Sequence, residues 1–179
     1  MNKDIERILF SEEDLKNATR KIGEQITKDY EGRTPLLVAI LKGSVVFMAD
    51  IMREININCD IDFMVAKSYG NAAVSSGNVK IIKDLDTDIT NRDIIIIEDI
   101  LDSARTLYSV RNYLMQKNPA SIKICTLLDK KVERAFDLTA DYKCFDIENE
   151  FVVGYGLDYA EKYRNLPYIG VLKREVYEK

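Results

Sequence analysis

Residues 94–107 read I-I-I-I-E-D-I-L-D-S-A-R-T-L. Four consecutive isoleucines are β-branched and strand-sized, the pattern of a strand buried on both faces. Two acids follow at once. Glu98 and Asp99 are costly beside such a strand unless something pairs with their charge. The carboxyl end of a buried strand is also where open α/β sheets bind ligands. Asp102, Ser103, Arg105 and Thr106 then lead into a helix predicted from about Ser103 to Lys117. Backbone N–H groups at a helix N-terminus, the helix dipole and two hydroxyls together suit a phosphate. Taken singly, Asp102 or Ser103 reads equally well as an ordinary N-cap. The whole constellation points to an anion.

Working outward, the same alternation recurs on both sides. Ser11 followed by Asp14 marks a helix start, with Leu15, Ala18, Ile22 and Ile26 on one face. Leu36 to Leu41 is a continuous apolar strand, and Ser44 to Ile55 returns to helical spacing. Residues 61–67 alternate as a half-buried strand. Residues 68–78 carry no core pattern and read as a mobile loop. Val79 to Ile82 and Ile122 to Leu128 are strands, with further short strands near 142–147, 151–154 and 168–172. The sum predicts an α/β fold, a mainly parallel sheet flanked by helices. One domain over 1–179 is expected, its core spanning about 35–150. Segments 1–15 and 150–179 fit the alternation less well and are expected to pack together as a small hood.

Composition narrows the chemistry. The chain has 179 residues, 46% of them hydrophobic, enough for a substantial core. Its longest apolar runs are far shorter than the roughly 20 residues of a membrane-spanning helix, and it opens on charged residues rather than an apolar signal core. A soluble, cytoplasmic protein is expected. Cys59, Cys125 and Cys144 are dispersed and read as buried thiols rather than zinc ligands or disulfides. Histidine is absent, which excludes a Ser-His-Asp triad and leaves acid–base work to carboxylates, Lys or Tyr. The net charge of −4 and pI near 5.1 argue against a nucleic-acid partner.

The 94–107 stretch resembles the phosphoribosyl pyrophosphate signature of the type I phosphoribosyltransferases. Other segments are similar to the short bacterial hypoxanthine-guanine phosphoribosyltransferases: L-K-G-S at 41–44, S-Y-G-N at 68–71, V-K-I-I-K-D-L-D at 79–86, L-L-D-K at 127–130, and F-V-V-G-Y-G-L-D-Y-A-E-K-Y-R-N-L-P-Y-I-G-V-L-K at 151–173. The resemblance implies transfer of a phosphoribosyl group from phosphoribosyl pyrophosphate to hypoxanthine or guanine, with Mg²⁺ as cofactor and a homodimer or homotetramer as the assembly. It implies Asp102 as general base. Ser103, Ala104, Arg105 and Thr106 would wrap the 5′-phosphate, while Lys42, Gly43 and Arg164 would meet pyrophosphate. Glu98 and Asp99 would face the ribose hydroxyls and their Mg²⁺ shell, and Asp158 a second Mg²⁺. Lys130 would donate to the purine six-position oxygen, Phe151 would stack on the ring, and the Val152 backbone would read its edge. Ser68 and Tyr69 would close over the site.

On the residues alone some alternatives stay open. Phe151 reads equally as core, Lys130 with Lys131 as a solvated pair, and Arg164 as a surface arginine paired with Glu161. Three positions depart from the family pattern: Ala104 and Ala72 replace common glycines, and Lys131 replaces a common proline. If the 102–106 turn needs positive φ, alanine strains it. A second reading, a catalytically weak RNA-binding regulator on the same fold, predicts a basic face that the acidic pI counts against.

Overall fold

The computed structural model describes residues 2–68 and 79–178. After a short 3₁₀ turn, Asn2–Asp4, come β1 (Ile5–Phe10) and α1 (Glu12–Asp29). Next are β2 (Leu36–Leu41), α2 (Val45–Glu54), β3 (Asp60–Ser68) and β4 (Val79–Lys83). The second half contributes β5 (Asp93–Leu101), α3 (Arg105–Met115), β6 (Ser121–Lys130) and β7 (Tyr142–Ile147). It ends with β8 (Val152–Val153), β9 (Ile169–Leu172) and α4 (Arg174–Tyr177). Among the described residues no helix is long and apolar enough to cross a membrane.

The main sheet runs β4-β3-β2-β5-β6-β7, parallel except for the antiparallel edge pair β3–β4. The predicted α/β architecture is therefore present, with a mixed sheet. The four isoleucines divide strictly by parity. Ile95 and Ile97 pack under α1 and α2, with Phe47, Met48 and Ile51. Ile94 and Ile96 pack against α3, with Leu107, Val110 and Leu114. This period-two alternation, buried on both sides, explains the unbroken apolar run.

Helix α1 begins as expected, with Ser11 and Asp14 forming a reciprocal capping box. Its buried face includes Thr19 rather than Ala18, because the Thr19 hydroxyl donates to the Leu15 carbonyl at 2.7 Å and carries no unmet polarity inward. A second sheet, β1-β9-β8, joins the two chain ends, Ile5 facing Leu172 and Phe10 facing Ile169. Strand β1 was not predicted. None of its residues I-E-R-I-L-F is buried, and β9 alone specifies its pairing.

Candidate active site

Strands β2 and β5 are neighbours in the sheet, with Ala39 opposite Ile97. The helix after β2 packs on one face and the helix after β5 on the other. Adjacent parallel strands whose connections diverge leave a crevice at their carboxyl ends. A cleft of about 350 Å³ lies there. Its wall includes Lys42, Gly43, Glu98, Asp99, Asp158 and Arg164, and the whole 102–106 turn. Of the site residues expected from sequence, the structure brings these eleven together. Ile40, Ala66 and Ile100 also line the cleft without having been singled out; nothing in a short apolar residue's neighbours distinguishes cleft wall from core.

Strand β5 extends further than its isoleucines, through Glu98 and Asp99 to Leu101. The two carboxyls are thus held on rigid sheet rather than in a turn. Burial pushes the Glu98 carboxyl well above the usual range, and the neighbouring Asp99 charge and hydrogen bond raise it further. Burial also raises Asp99, against hydrogen bonds from Glu98 and the Ile100 backbone N–H. The pair resists carrying two negative charges. No lysine or arginine makes an ion pair with Glu98 among the described residues.

Beyond Leu101 the chain turns through exposed Asp102 and Ser103 to Ala104, which is left-handed at φ 65° and ψ −2°. Helix α3 starts at the next residue with no side chain capping it. Its first N–H groups, together with the positive end of an eleven-residue helix, face the cleft. The strain foreseen for alanine here is present.

Across the cleft, the Leu41–Lys42 peptide is cis. Gly43 lies against Asp99, and an added Cβ would land on its carboxylate and force it aside. Gly156, at φ 101°, is pressed from the opposite side against the Gly43 carbonyl. Arg164 donates to the Gly156 carbonyl at 2.8 Å and pairs with Asp158 at 2.9 Å and Glu161 at 3.2 Å. Arg164 is therefore both paired with Glu161, as its surface reading had it, and part of the cleft. Lys42 Nζ lies 3.1 Å from the same Glu161 carboxylate.

Lys130 ends β6, its side chain only 13% exposed, with Nζ 3.9 Å from Asp102. That burial rules out a solvated charge pair with Lys131. Lys131 instead points away to Glu148 at 2.7 Å, and its backbone N–H donates to Ile147 O at 2.8 Å. A proline at this position would lack that donor. The following loop returns to the 102–106 turn, Ala135 N–H donating to Ser103 O at 3.1 Å.

Phe151 and Val152 do not line the cleft itself. Val152 is buried in β8 opposite Val171. Phe151 is 36% exposed, stacked on Tyr177 at 4.7 Å and edge-on to Tyr159 at 5.6 Å. Sequence spacing gave no hint of either partner. Ser68 closes β3, while Tyr69 and Ala72 lie outside the described residues.

Comparison with known proteins agrees with this geometry. The phosphoribosyl transferase domain model matches residues 8–160. The hypoxanthine-guanine phosphoribosyltransferase of Streptococcus thermophilus is 55% identical over 100% of this chain and 99% of its own length. The crystal structure of a hypoxanthine phosphoribosyltransferase from Staphylococcus aureus superposes with a TM-score of 0.97 at 49% identity, covering 100% of this chain and 97% of that one. The Trypanosoma cruzi hypoxanthine phosphoribosyl transferase gives a TM-score of 0.93 at 37% identity, covering 98% and 95%. The resemblance carried by the 94–107 and 151–173 segments is thereby borne out, and the chain belongs to the phosphoribosyl transferase family, in the branch of the hypoxanthine-guanine enzymes.

Proposed function

We propose that the protein transfers the 5-phosphoribosyl group of phosphoribosyl pyrophosphate to a 6-oxopurine, hypoxanthine or guanine, in purine salvage. Pyrophosphate leaves, and IMP or GMP forms. One observation carries the reading above the others: Asp102 and Lys130 stand 3.9 Å apart beside an uncapped helix N-terminus. A carboxylate and an ammonium at that separation match one edge of a 6-oxopurine, where an imidazole N–H to be deprotonated lies beside the carbonyl to be held.

In this reading Asp102 accepts the proton from the imidazole-ring nitrogen beside the six-position oxygen, while the lone pair of the other imidazole nitrogen bonds to the anomeric carbon and pyrophosphate leaves. Lys130 donates to the six-position oxygen. Adenine offers an amino group there, so the lysine discriminates against it. The N–H groups and hydroxyls of Ser103 to Thr106 hold the 5′-phosphate and orient the ribose. The Lys42–Gly43 loop and Arg164 receive pyrophosphate. Phe151 offers one ring face to the purine and keeps the other on Tyr177, and the Val152 backbone reads the purine edge.

Membership of this family is consistent with a metal-dependent reaction, and we take Mg²⁺ as the metal. Glu98 and Asp99 fit it, being an oxygen-only donor pair whose mutual repulsion a hard dication would relieve. Asp158, on the pyrophosphate side, would hold a second ion. Among the described residues no three acidic, cysteine or histidine side chains converge into a ready-made cage. Ligand oxygens and water would therefore complete the coordination. Bound Mg²⁺ would neutralise charge on pyrophosphate and so make it a better leaving group.

The test is a base panel of hypoxanthine, guanine, xanthine and adenine with phosphoribosyl pyrophosphate and Mg²⁺, followed by nucleotide formation. IMP or GMP should appear and AMP should not. No product from any 6-oxopurine would overturn the reading.

A further inference from the structure

The turn from Asp158 to Arg164 is more strained than its roles so far require. Tyr159 and Lys162 exchange both backbone hydrogen bonds, at 3.2 and 3.0 Å, so Ala160 and Glu161 are the centre of a two-residue hairpin. Both are left-handed, at φ 50° and 63°. That is the type I′ geometry, for which Asn-Gly or Asp-Gly is the favoured pair. Tyr163 follows at φ 75°. Three non-glycine residues within four thus occupy a region that only glycine enters freely. Backbone strain of this kind collects at ligand clamps and switches. Asp158 helps fix it, its carboxylate accepting from the Glu161 N–H at 2.9 Å.

What the turn presents is Glu161. A single carboxylate oxygen, Oε2, lies 3.1 Å from Lys42 Nζ and 3.2 Å from Arg164 Nη2. It bridges the two cations at the pyrophosphate end of the cleft. Among the described residues no other carboxylate pairs with Lys42. Lys42 and Arg164 hold the Glu161 carboxyl below the usual range, so it is anionic at neutral pH. The Lys42 and Glu161 side chains are 67% and 65% exposed, and exposed ion pairs are weak and readily exchanged.

We infer that Glu161 is an internal anion seated between Lys42 and Arg164 while the pyrophosphate position is empty, and that pyrophosphate binds by displacing it. The inference rests on the transferase reading above. Glu161 then competes with pyrophosphate on arrival and helps expel it after transfer, returning to the same two cations. Product release limits many well-evolved enzymes, and a tethered anion shortens that step without touching the chemistry. The strained hairpin has a plain use: it holds the carboxylate against two cations that line the cleft.

Titration calorimetry of pyrophosphate in the presence of Mg²⁺ tests this on the wild type and on Glu161→Gln, which keeps shape and loses charge. At low salt the variant should bind about three- to tenfold tighter. The advantage should shrink as salt screens the wild-type pairs. Product inhibition by pyrophosphate should strengthen by the same factor, with KM for the base unchanged. Glu161→Ala should behave alike, covering the case in which the glutamine variant folds poorly. A merely structural role predicts weaker binding in both variants and no salt dependence of the ratio. Equal or weaker pyrophosphate binding by a folded variant overturns the inference. A wild-type protein that binds no magnesium pyrophosphate overturns the transferase reading and the inference together.

Discussion

Replacing Gly43 with alanine isolates one contact at the centre of the site. An added Cβ would overlap Asp99 Oδ2 outright and stand 2.7 Å from its Cγ. Gly43 is not left-handed, so alanine suits its backbone and the whole cost falls on Asp99. To make room, Asp99 must rotate and give up the bond in which its Oδ1 accepts from Ile100 N–H at 2.8 Å. An off-rotamer side chain costs about 0.5–1.5 kcal/mol and the lost hydrogen bond about 1 kcal/mol. Alanine returns about 0.4–1 kcal/mol by stiffening the unfolded chain. Gly43→Ala should therefore destabilise by about 1–2 kcal/mol. With Asp99→Ala already in place nothing obstructs the methyl, and the same substitution should be neutral or slightly stabilising. Urea denaturation of the wild type, both single variants and the double variant measures the coupling, expected near 2 kcal/mol. Coupling within about 0.5 kcal/mol of zero would mean that Gly43 and Asp99 do not meet, and would refute the picture of this side of the cleft.

Other expectations follow from the same geometry. Asp102→Asn should lower kcat by about 10²–10⁴-fold while nucleotide binding persists; unchanged turnover across the pH range would remove it as the base. Lys130→Ala should weaken hypoxanthine and guanine binding by about 1.5–3 kcal/mol without admitting adenine, as read from KM over the base panel. Ala104→Gly relieves about 1–2 kcal/mol of left-handed strain but loses a buried methyl worth about 0.8 kcal/mol and adds unfolded-chain freedom worth about 0.4–1 kcal/mol. Thermal unfolding should therefore stay near wild type, and because Ala104 already adopts positive φ, a tenfold gain in nucleotide affinity would contradict this account. For Asp62, burial raises the pKa, but hydrogen bonds from the Phe63, Thr87 and Asp86 backbone and the Thr87 side chain outweigh it and the net shift is downward from 3.8. A depressed folded pKa gives stability that is full above the unfolded value and lost as pH falls through the folded one. Asp62→Asn should therefore flatten the loss of urea resistance below about pH 4.

Much of this was legible because the informative residues are local. The isoleucine run, the acids and the turn after them lie within fourteen consecutive positions, and Ser11 with Asp14 is complete in four. The hidden features depend on residues remote in sequence. Strand β1 gains its identity only from β9, and β5 gains four residues only because Glu98 to Leu101 continue the ladder with β6. Phe151 was read as a possible platform, but nothing near it announces Tyr177. Arg164 was weighed as paired or functional, when the geometry makes it both. Lys131 looked like a defect in the family pattern until its N–H was found on the Ile147 carbonyl.

The small β1-β9-β8 sheet also bears on how the protein comes to fold. The 102–106 turn belongs to a local unit, strand, helix and next strand in immediate succession, whose contacts close short loops. The small sheet requires residues near opposite ends of the chain to meet, Ile5 with Leu172. Contacts of such sequence separation form slowly and late. Strand β8 sits in that sheet, so the wall bearing Phe151 and Val152 waits for closure while Asp102 to Thr106 do not. On the proposed reading, a chain emerging from the ribosome therefore completes the 102–106 turn and Lys130 before the wall bearing Phe151 and Val152, and the two sides of the base pocket mature at different times.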